Sequence, residues 1–128
     1  MSYHFSKTLN CSFDEAISMV IGGLNKEDFG ILTEIDVKET LKRKLDIEFR
    51  SYKILGACNP TFAYQALQEE DKIGTMLPCN VIVQQHIDGN VEVSAVDPIA
   101  SMQAIENPKL RDIAEQVRVK LKRVIDNL

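Results

Sequence analysis

The stretch that decides the fold is residues 79–96, CNVIVQQHIDGNVEVSAV, where two runs of alternating apolar and polar residues flank a turn signal. Such alternation predicts two half-buried strands that pair as a hairpin. A two-residue turn at 88–89 would set valines opposite polar side chains, whereas a three-residue loop at 88–90 pairs Ile87 with Val91. We therefore predict the second register, which keeps the apolar side chains on one face.

Three further strand patterns precede the hairpin, at residues 3–9, 29–35 and 49–58, and each is followed by a helical pattern. The helix starts carry capping signals, in which a polar side chain can accept a hydrogen bond from an unpaired backbone amide. These signals are Ser12 with Glu15, Asp36 with Glu39, Asn59 with Pro60, and Asn107 with Pro108. The order β-α-β-α-β-α-β-β-α predicts an α+β fold, an antiparallel sheet with helices packed on one face.

The last helical pattern, about residues 108–127, carries a long apolar stripe. Its members recur at spacings of four and three: Leu110, Ala114, Val117, Leu121, Val124 and Leu128. Such a stripe predicts a helix packed on the sheet, and a place in a dimer interface is the alternative. Because no internal repeat or linker interrupts the pattern, residues 1–128 are predicted to form a single domain.

Composition narrows the class of protein. The chain has 128 residues, a net charge of −4 and a pI near 5.2, so its overall field repels nucleic acid. No apolar stretch is long enough to span a membrane, and the start of the chain lacks a secretory apolar region. Three cysteines are too few and too widely spaced for a disulfide framework. We expect a cytoplasmic protein with reduced thiols that binds neither nucleic acid nor membranes.

Two Cys-Asn dipeptides are the chemically suggestive feature of the sequence. Cys58 and Asn59 stand just before a helix start, where backbone amides favour an anion and could make the Cys58 thiolate reactive. Cys79 and Asn80 begin the hairpin, and the predicted register puts the Cys79 side chain on the core face. If the strand ends meet, two thiols and two amides line one pocket. Free cysteine is also a common buried residue, so packing alone is the alternative.

Metal binding has weaker support from the spacing. A structural zinc site needs four ligands, and the sequence has no Cys-x-x-Cys pattern. His86 is too far along the same strand to join Cys79, because seven residues at about 3.3 Å each span roughly 23 Å. The two thiols with an aspartate such as Asp36 or Asp97 could hold a soft metal ion. No motif identifies a cofactor.

Three segments of the chain carry distinctive motifs: FGILTEIDV at 29–37, ILGACNP at 54–60 and LPCNV at 77–81. Together, and in this order, they resemble the motifs of a bacterial and archaeal family, domain-of-unknown-function family 302. The resemblance covers about residues 3–105 and implies a TATA-binding-protein-like α+β fold and a homodimer. It implies no established activity and no DNA binding, since a fold alone does not determine function. The family's motif cysteines and asparagines correspond to Cys58, Asn59, Cys79 and Asn80.

Three functional hypotheses follow from these patterns. The leading one is a homodimeric domain that binds a small ligand or a soft metal ion in a pocket. Its candidate residues are Cys58, Asn59, Cys79 and Asn80, with Asp36 in addition. The second is a non-catalytic interaction module whose cysteine motifs serve packing only. The third is a thiol-dependent enzyme that uses Cys58, for which the sequence shows no base.

Overall fold

The sheet is built outward from the predicted hairpin. The computed structural model describes residues 2–128. The strands are β1 (His4–Leu9), β2 (Gly30–Asp36), β3 (Tyr52–Cys58), β4 (Cys79–Gln85) and β5 (Val91–Val96). The helices are α1 (Phe13–Lys26), α2 (Val37–Leu45), α3 (Pro60–Glu69), α4 (Pro98–Ser101) and α5 (Pro108–Asp126), with a 3-10 helix at Asp71–Met76. The strands form one antiparallel sheet in the order β1-β5-β4-β3-β2, which confirms the predicted α+β fold.

The hairpin register differs from the predicted one by two residues. Val91 lies opposite Gln85 instead of Ile87, and the three loop residues are 87–89. The third loop residue is Gly89, whose φ of +90° is a left-handed conformation that glycine adopts readily. The predicted loop gave this position to an asparagine, so the prediction was wrong because it misplaced the glycine. As a result, Ile87 is fully exposed at the tip of the loop.

Because the shift is by two residues, each strand side chain of the hairpin keeps its predicted face. The core face of β4 consists of Cys79, Val81 and Val83, which are all buried. The outer face consists of the residues that alternate with them: Asn80, Ile82 and Gln84. The prediction that the Cys79 side chain belongs to the core face is therefore confirmed.

The core lies between the core face of the sheet and two long helices, α1 and α5. The apolar stripe of α5 packs against the sheet from Val117 to Val124, as predicted, whereas its first residue, Leu110, packs elsewhere. A smaller cluster of Ala66, Ile73 and Leu110 joins α3, the 3-10 helix and the start of α5. By contrast, α2 has no buried residue. Within residues 2–128, no helix is long and apolar enough to cross a membrane.

Side-chain caps confirm all four predicted helix starts. The backbone amides of Glu15, Glu39, Phe62 and Lys109 donate to the side chains of Ser12, Asp36, Asn59 and Asn107, at 3.1, 2.9, 3.4 and 3.2 Å respectively. Each cap satisfies an amide that the helix itself leaves unpaired. The third cap fixes the point at which β3 ends and α3 begins, and so positions the site described next.

Candidate functional site

Three neighbouring strand segments meet at Gly56. A Cβ atom added there would lie 2.8 Å from Cγ of Pro78 and would overlap Oγ1 of Thr33. Glycine is therefore required, because both side chains close over its backbone. We call this point the motif junction. Its three residues, Gly56, Thr33 and Pro78, each belong to a different motif segment. The three motifs therefore meet in space here. Part of the motif pattern is thus structural.

A cavity of about 360 Å³ lies next to the motif junction, with Pro78 contributing to both. Its wall is mainly apolar and includes Phe62 of α3 and Val117 of α5. Two of the lining side chains, Leu32 and Leu67, are 65% and 44% exposed and mark the mouth. The cavity is therefore an apolar recess, roofed by helices and open to solvent on one side.

Three of the four motif residues predicted to form a pocket, Cys58, Asn59 and Cys79, line this cavity. In the ladder between β3 and β4, Cys79 lies opposite Ala57, which places it beside Cys58. The Cys79 residue is 8% exposed, and Cys58 is half-buried. One wall of the cavity thus carries two free thiols.

Burial determines the protonation of both thiols. Burial, with a smaller contribution from the nearby Cys58 thiol, raises the pKa of Cys79 to about 11. Burial also raises the pKa of Cys58, whereas the start of α3 was expected to favour its thiolate. That expectation was wrong in direction: burial desolvates the Cys58 thiolate, and the Asn59 cap already occupies one of the helix amides. At neutral pH both thiols are protonated and are weak nucleophiles.

The side chain of Asn59 is occupied by structural hydrogen bonds. Its Oδ1 accepts from the Phe62 amide at 3.4 Å, and its Nδ2 donates to the Glu27 carbonyl at 3.5 Å. The first bond caps α3 and the second ties this corner to the end of α1. A molecule in the cavity therefore meets an apolar wall, two neutral thiols and an amide that already makes two of its four hydrogen bonds.

The other two predicted site residues lie elsewhere, which corrects the predicted pocket. Asn80 is exposed on the outer face, because successive strand residues point to opposite faces and Cys79 takes the core face. Asp36 lies opposite Lys53 at the far end of β3, and its carboxylate caps α2. Lys53 and Cys58 are five residues apart, which is roughly 17 Å at about 3.3 Å per residue.

A metal site in this cavity would have to rest on the two thiols. Within residues 2–128, no group of three or more His, Cys, Asp or Glu side chains is placed to hold a metal ion. Asp97, the other aspartate considered, caps α4 and pairs with Arg118 at 3.2 Å. His86 contacts Glu92 at 3.1 Å on the outer face. Two thiolates alone suit a soft ion such as Cu(I).

The apolar wall is the part of the site that the sequence patterns did not reveal. Met102, after α4, and Ile113, on α5, both line the cavity and are distant from the cysteines in sequence. One local signal was present in α3, where Ala63 and Ala66 accompany Phe62 on the lining face and leave space beside it. Small side chains facing a strand end are typical of a recess as well as of close packing.

Comparison with known proteins identifies the family. The family model described as "Domain of unknown function DUF302" matches residues 5–128. The chain belongs to this family. The DUF302 match confirms the resemblance seen in the three motifs, and it runs past residue 105 to include α5.

A solved structure shows the same fold. The crystal structure of an uncharacterized conserved DUF302 protein from Bacillus stearothermophilus is similar to this chain over 98% of each chain, with 28% sequence identity and a TM-score of 0.91. No match was found among curated proteins.

Proposed function

We propose that this DUF302 protein is a homodimeric cytoplasmic domain that binds a small apolar molecule in the cavity beside Cys58 and Cys79. The cavity itself carries the proposal: it measures about 360 Å³, has an apolar wall, and opens between exposed leucines. Small-molecule sites are typically concave and mostly apolar, with volumes of roughly 300–1,000 Å³. Reduced thiols are the ordinary state in the cytoplasm, and all three cysteines are free.

The two thiols determine which apolar molecules fit best. A protonated thiol is a weak hydrogen-bond donor and a soft, polarizable group. A charged organic ligand would lose its hydration without gaining a charged partner, because no charged side chain lines the cavity. The cavity therefore favours an uncharged ligand, such as a small aromatic compound.

The test is a titration of the full chain with indole, an uncharged aromatic probe, followed by amide NMR. We expect saturable shifts at cavity residues such as Ala57 and Cys79. Ala63→Phe places a ring in the cavity and should abolish binding, whereas Gln65→Phe places the same ring on the exposed side of α3 and should leave binding unchanged. Absence of saturable binding, or equal binding to both variants, overturns the proposal.

A soft metal ion is the second candidate ligand, and the two thiols on one wall favour it. Binding would require loss of both thiol protons, so affinity should rise with pH. In a titration with Cu(I), Cys58→Ser and Cys79→Ser should each lose binding, whereas Cys11→Ser should retain it. Equal binding by all three variants would show that the cavity is not the metal site.

The homodimer is proposed to form along the edge of the sheet at β2. This strand is the last in the sheet, and Leu32 and Ile35 on it are 65% and 46% exposed. An unpaired apolar edge tends to pair with another chain, and here a second copy is the proposed partner.

Sedimentation should give twice the chain mass of 14.4 kDa. Ile35→Lys should yield a monomer while Ile87→Lys, at the exposed hairpin tip, should not. A wild-type monomer at all concentrations overturns this part of the proposal.

A further inference from the structure

Arg50, which lies just before β3, differs from the other arginines of the chain. Arg43, Arg111, Arg118 and Arg123 each have a carboxylate partner, at 3.5, 3.6, 3.2 and 3.7 Å. Within residues 2–128, no carboxylate lies within 4.0 Å of the Arg50 guanidinium. An exposed cation that is held in place without a counter-ion has donors to offer to a ligand.

Two aromatic rings hold the Arg50 guanidinium. Its central carbon lies 4.4 Å from the centre of the Phe49 ring and 5.5 Å from that of the Tyr52 ring. The two ring centres are 6.1 Å apart and their planes are inclined by 51°, so one guanidinium lies within cation–π distance of both. Cation–π attraction of this kind restricts the side chain and reduces the entropy lost when a ligand binds.

The side-chain amide of Gln84 lies between Arg50 and Glu92 in a chain of hydrogen bonds. The Arg50 Nε donates to Oε1 of Gln84 at 2.9 Å, and Nε2 of Gln84 donates to Glu92 at 3.4 Å. Gln84 is 9% exposed, and Glu92 also contacts His86. Because the amide turns its carbonyl to the cation and its donor to the acid, the two charges do not pair directly. The terminal Nη groups of Arg50 make no hydrogen bond to the described protein.

A second concavity lies on the outer face beside this arginine. It measures about 390 Å³ and shares Tyr52 and Gln84 with the surroundings of Arg50. Its other lining groups include the Asn80 amide and the Ser94 hydroxyl, which can donate and accept hydrogen bonds. The Glu92 carboxylate also lines it. This wall mixes polar and apolar groups and is more polar than the wall of the cavity beside the cysteines, so it suits a different class of ligand.

We propose that Arg50 binds the oxyanion of a small polar ligand, a carboxylate or a phosphate, whose uncharged remainder lies in this outer concavity. A planar guanidinium can donate two parallel hydrogen bonds to such an anion. The Glu92 carboxylate lies at the other end of the network and would repel a second anionic group. The ligand should therefore carry only one. The site is on the opposite face of the sheet from the apolar cavity, so it does not depend on the function proposed for that cavity.

The experiment is a titration of the full chain with sodium acetate and, separately, with inorganic phosphate, at constant ionic strength maintained with chloride. NMR of the arginine Nε–H groups and the backbone amides reports the binding. We expect saturable shifts at Arg50, Tyr52 and Gln84. The anion that saturates at lower concentration identifies the ligand class as carboxylate or phosphate. Shifts that stay linear with either anion reflect general ionic effects and overturn the proposal.

Three variants separate recognition from a purely structural role of Arg50. Arg50→Gln should abolish saturable binding, and Arg50→Lys, which keeps the charge but not the planar fork, should weaken it at least about tenfold. Arg43→Gln, a matched change of an exposed arginine on α2, should leave binding unchanged. If Arg50 only fastens the chain to the sheet, Arg50→Gln and Arg50→Lys will lower thermal stability without altering the response to either anion, and that outcome overturns the proposal.

Discussion

The two Cys-Asn dipeptides have the same sequence and different structural outcomes. Cys58 and Asn59 lie where β3 ends and α3 begins, and both line the apolar cavity. Cys79 and Asn80 lie at the start of β4, and strand alternation sends the first into the cavity and the second to the outer face. A dipeptide that crosses the boundary of a strand can present both side chains to one site, whereas a dipeptide whose two residues both belong to the strand cannot.

The largest loss of stability is expected at the motif junction, which lies next to the first dipeptide. Gly56→Ala should destabilise the protein by about 3 kcal/mol, because the added methyl group overlaps Thr33 and Pro78. Gly22→Ala is the control, since a Cβ there meets nothing within 4 Å, and helix propensity should make it stabilising by about 0.5–1 kcal/mol. Urea unfolding measures both. Similar changes for the two variants would show that the junction is not tightly packed.

The second dipeptide should make stability fall at high pH. The pKa of Cys79 is raised from 9.0 to about 11 in the folded protein. As pH rises through this interval, the unfolded chain loses the thiol proton while the folded chain retains it, so unfolding becomes more favourable. The stabilisation is fully present below pH 9 and is lost as pH passes 11, a decrease of about 2–3 kcal/mol at about 1.4 kcal/mol per unit.

Cys79→Ala provides the control for this pH dependence. Every other ionisable group is common to the two proteins, so the difference between the two curves isolates the thiol. The free energy of unfolding should decrease more steeply from pH 9 to pH 11 in the wild type than in the variant. Parallel curves would show that the Cys79 thiol titrates alike in the folded and unfolded chains.

The smallest expected effect is a difference in stability between alanine variants of the two asparagines. Asn59→Ala removes the cap of α3 and the bond to α1, and should cost about 1 kcal/mol. Asn80→Ala changes an exposed side chain on the outer face and should stay within about 0.5 kcal/mol of the wild type. Thermal unfolding of both variants under one condition makes the comparison. Equal losses would mean that the two dipeptides are equivalent, contrary to their positions.

The parts of the fold that could be predicted depend on neighbours along the chain. The capping signals at Ser12, Asp36, Asn59 and Asn107 each concern atoms within three residues, and all four helix starts followed from them. The hairpin register was missed because it depends on which single loop residue adopts the left-handed conformation. The 3-10 helix was missed because only one of its residues is buried, so no periodic pattern marks it.

The site was harder to predict than the fold because its walls come from distant parts of the chain. Local context indicated Cys58 and Cys79, and the structure places both at one cavity. Their protonation depends on burial by α3 and α5, which the sequence does not specify. Asn80 follows Cys79 within one strand, so strand alternation places its side chain on the opposite face of the sheet. No local sequence motif predicts the arrangement around Arg50, because its hydrogen-bond partner Gln84 lies on β4, far away in the sequence.

The motif junction restricts how the family can diverge. The three positions 33, 56 and 78 compete for one small volume, so a larger side chain at one of them requires a smaller one at another. We expect a relative with alanine at position 56 to carry smaller residues at both position 33 and position 78. Three motifs that are far apart in the sequence would then be inherited as one unit, and their joint pattern would identify distant members better than any of the three alone.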